Sequence, residues 1–73
     1  MAKRNRIKVV MDEGNFEFHQ EVSKGEWVEM KVFGNEWKAR QFVTILWENG
    51  EVTKGRMGEL LRGISNLVAA SHA

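Results

Sequence analysis

Few side chains in this chain of 73 residues have the types and spacing that catalysis requires. The two histidines, His19 and His72, lie far apart in the sequence, and there is no cysteine to act as a nucleophile or a thiolate ligand. No serine stands in the strand-to-helix motif that exposes a catalytic hydroxyl. We therefore expect no catalytic residues and no enzymatic activity.

One short segment carries side chains that are capable of binding a metal. Glu17, His19 and Glu21 alternate with other residues, so on a strand they share one face. Typical zinc sites have a fourth ligand or an enclosed pocket, and this set offers neither. A solvated polar face is the favoured interpretation, and we expect no metal and no cofactor.

The distribution of charge is more informative than its sum. The net charge is +1, but residues 1–11 carry four basic residues and no acid, whereas residues 12–29 carry six acids and one lysine. A dedicated DNA-binding domain usually has a larger and more uniform positive excess. The balance favours a protein partner. For the basic arm, residues 1–5, two interpretations stay open: a terminus that is only solvated, or an auxiliary contact of Lys3 and Arg4 to RNA or DNA phosphate.

Length and hydropathy predict one small domain. We divide the chain into the basic arm, a single α+β domain over residues 6–70, and a frayed C-terminus over residues 71–73. No apolar run approaches the roughly 20 residues that a membrane-spanning helix needs. We expect a soluble, intracellular protein with no membrane contact, monomeric when free.

Alternation of apolar and polar residues predicts three short strands in the first half of the chain. They cover Arg6–Met11, Phe16–Val22 and Glu26–Phe33. Gly14 and Asn15, which both tolerate positive φ, mark the first turn. In the first two strands the predicted inward-facing residues are Ile7, Val9, Met11, Phe16, Phe18 and Val22.

The third strand has two apolar sets on opposite faces. The charged residues between Trp27 and Phe33 favour a core face made of Val28, Met30 and Val32. Trp27 and Phe33 would then be an exposed aromatic pair on the outer face. The opposite assignment, with both aromatic residues in the core, remains open.

The densest run of β-branched and aromatic residues is Trp37–Trp47. Its odd-numbered positions are apolar apart from Gln41, which predicts a central strand with one fully buried face. Asn49 and Gly50 are the favoured pair for a type I′ hairpin turn, followed by a short return strand at Glu51–Thr53.

After Arg56 the apolar period changes to that of a helix, which we expect to start near Thr53 or Lys54–Gly55. The predicted fold class is α+β: an antiparallel β-meander of four to five short strands with one C-terminal amphipathic helix packed on the sheet. The residues of the predicted helical stripe are Met57, Leu60, Leu61, Ile64, Leu67 and Val68.

The outward-facing side chains of the first three strands form the predicted partner-binding surface. The first strand is the natural edge of a meander, where an extended peptide of a partner can pair with the backbone. The predicted partner-binding residues are Arg6, Lys8, Val10, Glu17, His19, Glu21 and Trp27.

The chain as a whole, from its opening Met-Ala-Lys-Arg-Asn-Arg-Ile-Lys-Val-Val to its closing Ile-Ser-Asn-Leu-Val-Ala-Ala-Ser-His-Ala, resembles the small transcription antiterminators of lytic Xanthomonas phages. The resemblance implies a partner, the host RNA polymerase, bound near the amino terminus of its β′ subunit. It also implies that initiation with the σ factor is hindered, that termination near the RNA exit channel is suppressed, and that the protein works in the host bacterial cytoplasm.

A second hypothesis is a small single-stranded nucleic-acid-binding protein. It would use Trp27 and Phe33 as stacking platforms for bases and the basic arm for phosphates. Retention of nucleic acid at low salt, lost steeply as salt rises, would distinguish it from a polymerase-binding regulator.

Overall fold

The structure, a computed structural model, describes residues 6–72 and has an α+β fold. Within this part of the chain, three antiparallel strands are followed by two helices. The elements are β1 (Arg6–Asp12), β2 (Asn15–Ser23), β3 (Glu26–Phe33), α1 (Glu36–Glu48) and α2 (Lys54–Ser71). The predicted fold class is thus correct, but the count of four to five strands and one helix is wrong.

The strands follow one another in space in the order β1-β2-β3, so β1 is an edge strand and β2 is central. A two-residue turn joins β1 to β2, and Asp12 pairs with Asn15 across it. The positive φ angles fall on Glu13 (53°) and Gly14 (83°) rather than on Gly14 and Asn15. Two successive positive φ angles are the geometry of a type I′ turn, whose twist matches that of the flanking strands.

Two irregularities interrupt the pairing of β2 with β3. Phe18 pairs with Lys31 and the next residue of β2 pairs with Glu29, which leaves Met30 as an extra residue in β3. The second irregularity leaves Val22 unpaired near the end of β2. Each extra residue reverses the alternation of side chains beyond it.

These irregularities explain why the expected faces of β3 are partly wrong. Val32, expected in the core, lies beyond the extra residue Met30, pairs with Glu17 and is 43% exposed. Val28, also expected in the core, lies before Met30 and is 41% exposed, which the extra residue does not explain. Met30 does pack against the core, and so does Phe33, which was expected on the outer face. Val22, expected to point inward, is 49% exposed.

The predicted central strand over residues 37–47 is helix α1. Its buried residues recur at helical spacing, because Ala39, Val43 and Leu46 lie four and three residues apart and are each at most 2% exposed. The apolar odd-numbered positions that suggested one buried strand face do not share an environment: Ala39 and Val43 are buried, whereas Trp37 is 72% and Ile45 48% exposed. The alternation in the sequence therefore does not reflect a strand. The buried residues follow the helical period of 3.6 residues per turn.

Both ends of α1 carry capping interactions that favour a helix. At its start, the Asn35 side chain accepts a hydrogen bond from the Lys38 backbone N–H at 2.8 Å. At its end, the N–H of Gly50 bonds the Trp47 carbonyl at 3.0 Å, and the N–H of Glu51 bonds the Leu46 carbonyl at 2.9 Å. This is a Schellman motif with Gly50 at φ 78°, so the expected hairpin turn is a helix C-cap.

The return strand expected at Glu51–Thr53 is also absent from the described residues, since these residues link the two helices. Val52 is buried in that link, and Thr53 caps α2 by accepting a hydrogen bond from the Arg56 N–H at 3.2 Å. The expected start of the C-terminal helix is confirmed. Of the predicted helical stripe, Leu60 and Ile64 are buried and the other members pack around them.

Both helices pack on the same face of the sheet, α2 against β1 and α1 against β3. Three phenylalanines lie between them: the ring centroids of Phe18 and Phe42 are 4.8 Å apart, and those of Phe18 and Phe33 are 5.9 Å apart, both edge-to-face. No described helix is both long enough and apolar enough to cross a membrane. The buried core consists of Ile7, Phe16, Phe18, Ala39, Val43, Leu46, Val52, Leu60 and Ile64.

Candidate functional site: the open face of the sheet

The face of the sheet opposite the helices is the candidate site, and we call it the open face. Side chains alternate across a strand, so the residues next in sequence to the buried residues of β1 and β2 point away from the helices. Pairing across the three strands arranges them in three rows. The rows are Arg6–Glu21–Trp27, Lys8–His19–Glu29 and Val10–Glu17–Val32.

The first row is held by ionic and cation–π contacts. Arg6 Nη1 lies 3.3 Å from Glu21 Oε1, while Glu21 Oε2 accepts a hydrogen bond from the Gly25 backbone N–H at 2.7 Å. The Trp27 ring reaches back towards β1, where Lys8 Nζ lies 4.3 Å from the ring centroid and the Arg6 guanidinium lies 6.0 Å from it. A cation over an indole face is attracted by the ring quadrupole, so these contacts favour the position of the Trp27 ring over β1.

The second and third rows bring a histidine and two carboxylates together. His19 Nε2 lies 3.2 Å from Glu17 Oε1, and both side chains are about one-fifth exposed. Glu29 lies directly opposite His19 on β3. One ligand atom from each of the three lies within 4.8 Å of the others.

All seven predicted partner-binding residues thus lie on one contiguous face. The strict alternation of β1 and β2 made six of them predictable, because neither strand is interrupted before residue 21. Two members of the open face, Glu29 and Val32, were not among the predicted site residues. The position of Glu29 on the open face could have been predicted, since it alternates with Trp27 along β3. That of Val32 could not, because the extra residue Met30 changes the face on which Val32 lies.

Trp27 and Phe33, predicted as an exposed pair on the outer face, lie on opposite faces of the sheet. Trp27 lies on the open face, whereas the ring of Phe33 packs on the other side of the sheet, with its centroid 5.3 Å from that of Phe42. The two rings cannot stack bases side by side. Lys3 and Arg4, the predicted phosphate contacts, lie outside the described residues.

An open groove of about 790 Å³ continues the open face around the edge of β1. Within its lining, Arg56 of α2 donates a hydrogen bond from Nη2 to the Ile7 carbonyl oxygen at 2.6 Å. The residues that line the groove are Arg6, Ile7, Lys8, Trp27, Glu51, Val52, Thr53 and Arg56.

The hairpin register explains why that carbonyl is available. Asp12 and Asn15 flank a two-residue turn and so form a hydrogen-bonded pair, as does every second pair along the ladder. Lys8 and Val10 therefore direct their backbone groups to β2, and Ile7 directs its own to the outer edge. An extended peptide that pairs along β1 must displace Arg56 from Ile7.

Comparison of the chain with protein-family models, with curated proteins and with solved structures finds no significant match.

Proposed function

We propose that this protein is a non-catalytic transcription regulator that binds the RNA polymerase of a bacterial host through the open face of its sheet. The polymerase and its β′ amino-terminal region come from the resemblance to the phage antiterminators. The assembly of the seven predicted residues on one uncovered face is the observation that supports binding to a protein. A regulator of this kind acts by occupying a surface, so it requires no catalytic group.

The composition of the open face suits a protein partner. Interfaces are enriched in tryptophan and arginine, and their strongest contacts are aromatic anchors surrounded by polar residues. Trp27 is half-buried among Arg6, Lys8 and Glu21, which matches that arrangement. The contacts of Trp27 with Lys8 and Arg6 favour one position of its ring, which lowers the side-chain entropy lost on binding.

The proposed mechanism follows from where the partner is bound. A small domain seated near the β′ amino terminus would hinder a σ factor that needs the same region, which reduces initiation. The same position near the RNA exit channel would oppose the changes that accompany termination. Both effects require only that the complex persists through transcription, and so they should vary together with affinity.

Trp27 and Trp37, which lie on different sides of the molecule, provide the test of the proposed interface. Trp27 lies on the open face, and Trp37, 72% exposed, lies on α1 on the other side of the molecule. Trp27→Ala should weaken binding to purified host polymerase by about 2 kcal/mol or more, as expected for an anchor residue, and reduce antitermination with it. Trp37→Ala should leave both unchanged in equilibrium binding and in-vitro termination assays.

The reverse pattern, loss with Trp37→Ala and none with Trp27→Ala, would place the interface on the helices. No binding of the wild-type protein to polymerase would reject the partner itself. The nucleic-acid-binding alternative is tested in the same series by adding single-stranded RNA at low salt. The separation of Trp27 from Phe33 disfavours it, because stacking successive bases needs neighbouring rings.

A further inference from the structure

We propose that Glu17, His19 and Glu29 form a binding site for a divalent transition-metal ion of the zinc type on the open face. The inference goes beyond the proposed function and holds whether or not the partner is a polymerase. It rests on three observations: the distances among the ligand atoms, the donor chemistry, and the engagement of the neighbouring charges with other groups.

The pairing of β2 with β3 brings the three ligands together. Glu17 and His19 are two residues apart on one face of β2, and Glu29 is the direct cross-strand neighbour of His19. Ligand atoms held about 2.0–2.2 Å from a tetrahedral ion lie about 3.3–3.6 Å from one another. His19 Nε2 and Glu17 Oε1, which share a hydrogen bond, are already close to that separation, at 3.2 Å. Glu29 is an exposed side chain within 4.8 Å of both, so rotation of its own side chain completes the set.

The sequence alone indicated a different set, in which the third ligand was Glu21. The structure gives both oxygens of Glu21 other partners, Arg6 at 3.3 Å and the Gly25 N–H at 2.7 Å. It supplies Glu29 from the next strand instead. The folded sheet thus replaces Glu21 by Glu29 and keeps the number of protein ligands at three, as in zinc sites that leave the fourth position to water or to a partner.

Donor chemistry selects the class of ion. Imidazole nitrogen favours zinc, nickel and similar ions over calcium and magnesium, which prefer oxygen ligands alone. Two carboxylates neutralise the charge of a divalent ion. The cations of this face are engaged elsewhere, Lys8 with the Trp27 ring at 4.3 Å and Arg6 with Glu21. Three protein ligands leave a coordination position that points away from the sheet, open to water or to a donor from a partner.

The test uses the full chain titrated with zinc chloride in a non-chelating buffer, followed by calorimetry and by NMR of the imidazole nitrogens. We expect one ion per chain and a shift of the His19 ring signals, with those of His72, the only other histidine, unchanged. Loss of a group that hydrogen-bonds to a metal ligand typically weakens metal binding about 10–100-fold. Loss of a ligand itself should cost at least as much, so His19→Gln and Glu29→Gln should each weaken zinc binding at least tenfold. His72→Gln and Glu21→Gln are the matched controls and should retain affinity.

Three results would overturn the proposal. One is the absence of both heat and chemical shift change at millimolar zinc. Another is movement of the His72 signals in place of those of His19. The third is a loss with Glu21→Gln as large as that with Glu29→Gln, which would place the ion on one strand. Glu29 is exposed, so Glu29→Gln keeps the test valid even if His19→Gln lowers stability; a thermal melt by circular dichroism checks each variant.

Discussion

The two faces of the sheet are built from the same three strands and have opposite chemistry. The covered face carries the fully buried Ile7 and Phe18 and packs on both helices. The open face carries charged groups, a histidine and a tryptophan, with Arg6 73% exposed in its side chain. Because the side-chain period of a strand is two, each residue that stabilises the fold has neighbours that are free to bind a partner.

This division predicts that stability and binding can be altered separately. Burial of apolar area on the covered face supplies about 25 cal/mol per Å², whereas exposed ion pairs contribute about 0–1 kcal/mol each. Substitutions on the covered face should therefore unfold the protein, and those on the open face should leave it folded. Three stability measurements test that division and a fourth tests helix α1, taken from the largest expected effect to the smallest.

Placing a charge in the seam between α2 and the covered face should have the largest effect. Ile64 is 0% exposed, so Ile64→Asp buries a carboxylate without a partner and should abolish cooperative folding. Asn66→Asp adds the same charge two residues later at an exposed position and should melt like the wild type. Thermal unfolding by circular dichroism compares the two. A cooperative melt of Ile64→Asp at an unchanged temperature would reject the helix-on-sheet packing.

Removal of the central ring of the covered face should have the next largest effect. Phe18 is 0% exposed and contacts two other phenylalanine rings, so Phe18→Ala should lower the free energy of unfolding by about 3–5 kcal/mol. Val10→Ala, on the open face of β1, should cost about 1 kcal/mol or less. Urea titrations of both variants give the comparison. Equal losses of unfolding free energy in the two variants would mean that the open face is as tightly packed as the covered face.

How much of the two faces could be predicted from the sequence differs between the strands. On β1, and on β2 as far as Glu21, buried residues such as Ile7 and Phe18 alternate with outward-facing ones without interruption, and so the composition of both faces was predictable there. On β3 the pattern failed after Met30, because an extra residue reverses the faces and nothing in the residue types marks it. The proximity of Glu29 to His19 depends on cross-strand register, which the pattern within one strand does not reveal.

Helix α1 was missed for another reason. Trp37, Ile45 and Trp47 gave a strong apolar alternation, yet they are among the most exposed apolar residues of the described chain. The helical spacing of the buried residues and the capping residue Asn35 were both present in the sequence, and they were outweighed by β-branched and aromatic content. Propensity of this kind is a weak guide where tertiary packing selects the buried set.

Loss of the N-cap of α1 should produce a moderate effect that a strand at this position would not show. The Asn35 side chain accepts the Lys38 N–H, so Asn35→Ala should destabilise the protein by about 0.5–2 kcal/mol. Asn66→Ala, at an exposed position inside α2, should be neutral or slightly stabilising because alanine favours a helix. Chemical denaturation measures both. An unchanged stability of Asn35→Ala would argue that residues 36–48 are not held as a capped helix.

The smallest expected effect on the free energy of unfolding comes from loss of the contact between Lys8 and the Trp27 ring on the open face. Lys8 Nζ lies 4.3 Å from the ring centroid, so a double-mutant cycle of Lys8→Met and Trp27→Leu should give a coupling energy of about 0.5–1 kcal/mol. The matched cycle with Arg6→Met should give a smaller coupling, because the Arg6 guanidinium is 6.0 Å from the centroid and also contacts Glu21. Both cycles are measured by urea unfolding at low salt. Zero coupling to Lys8 would mean that the ring is not held over β1 before binding, and the tryptophan anchor would then have to be ordered by its partner.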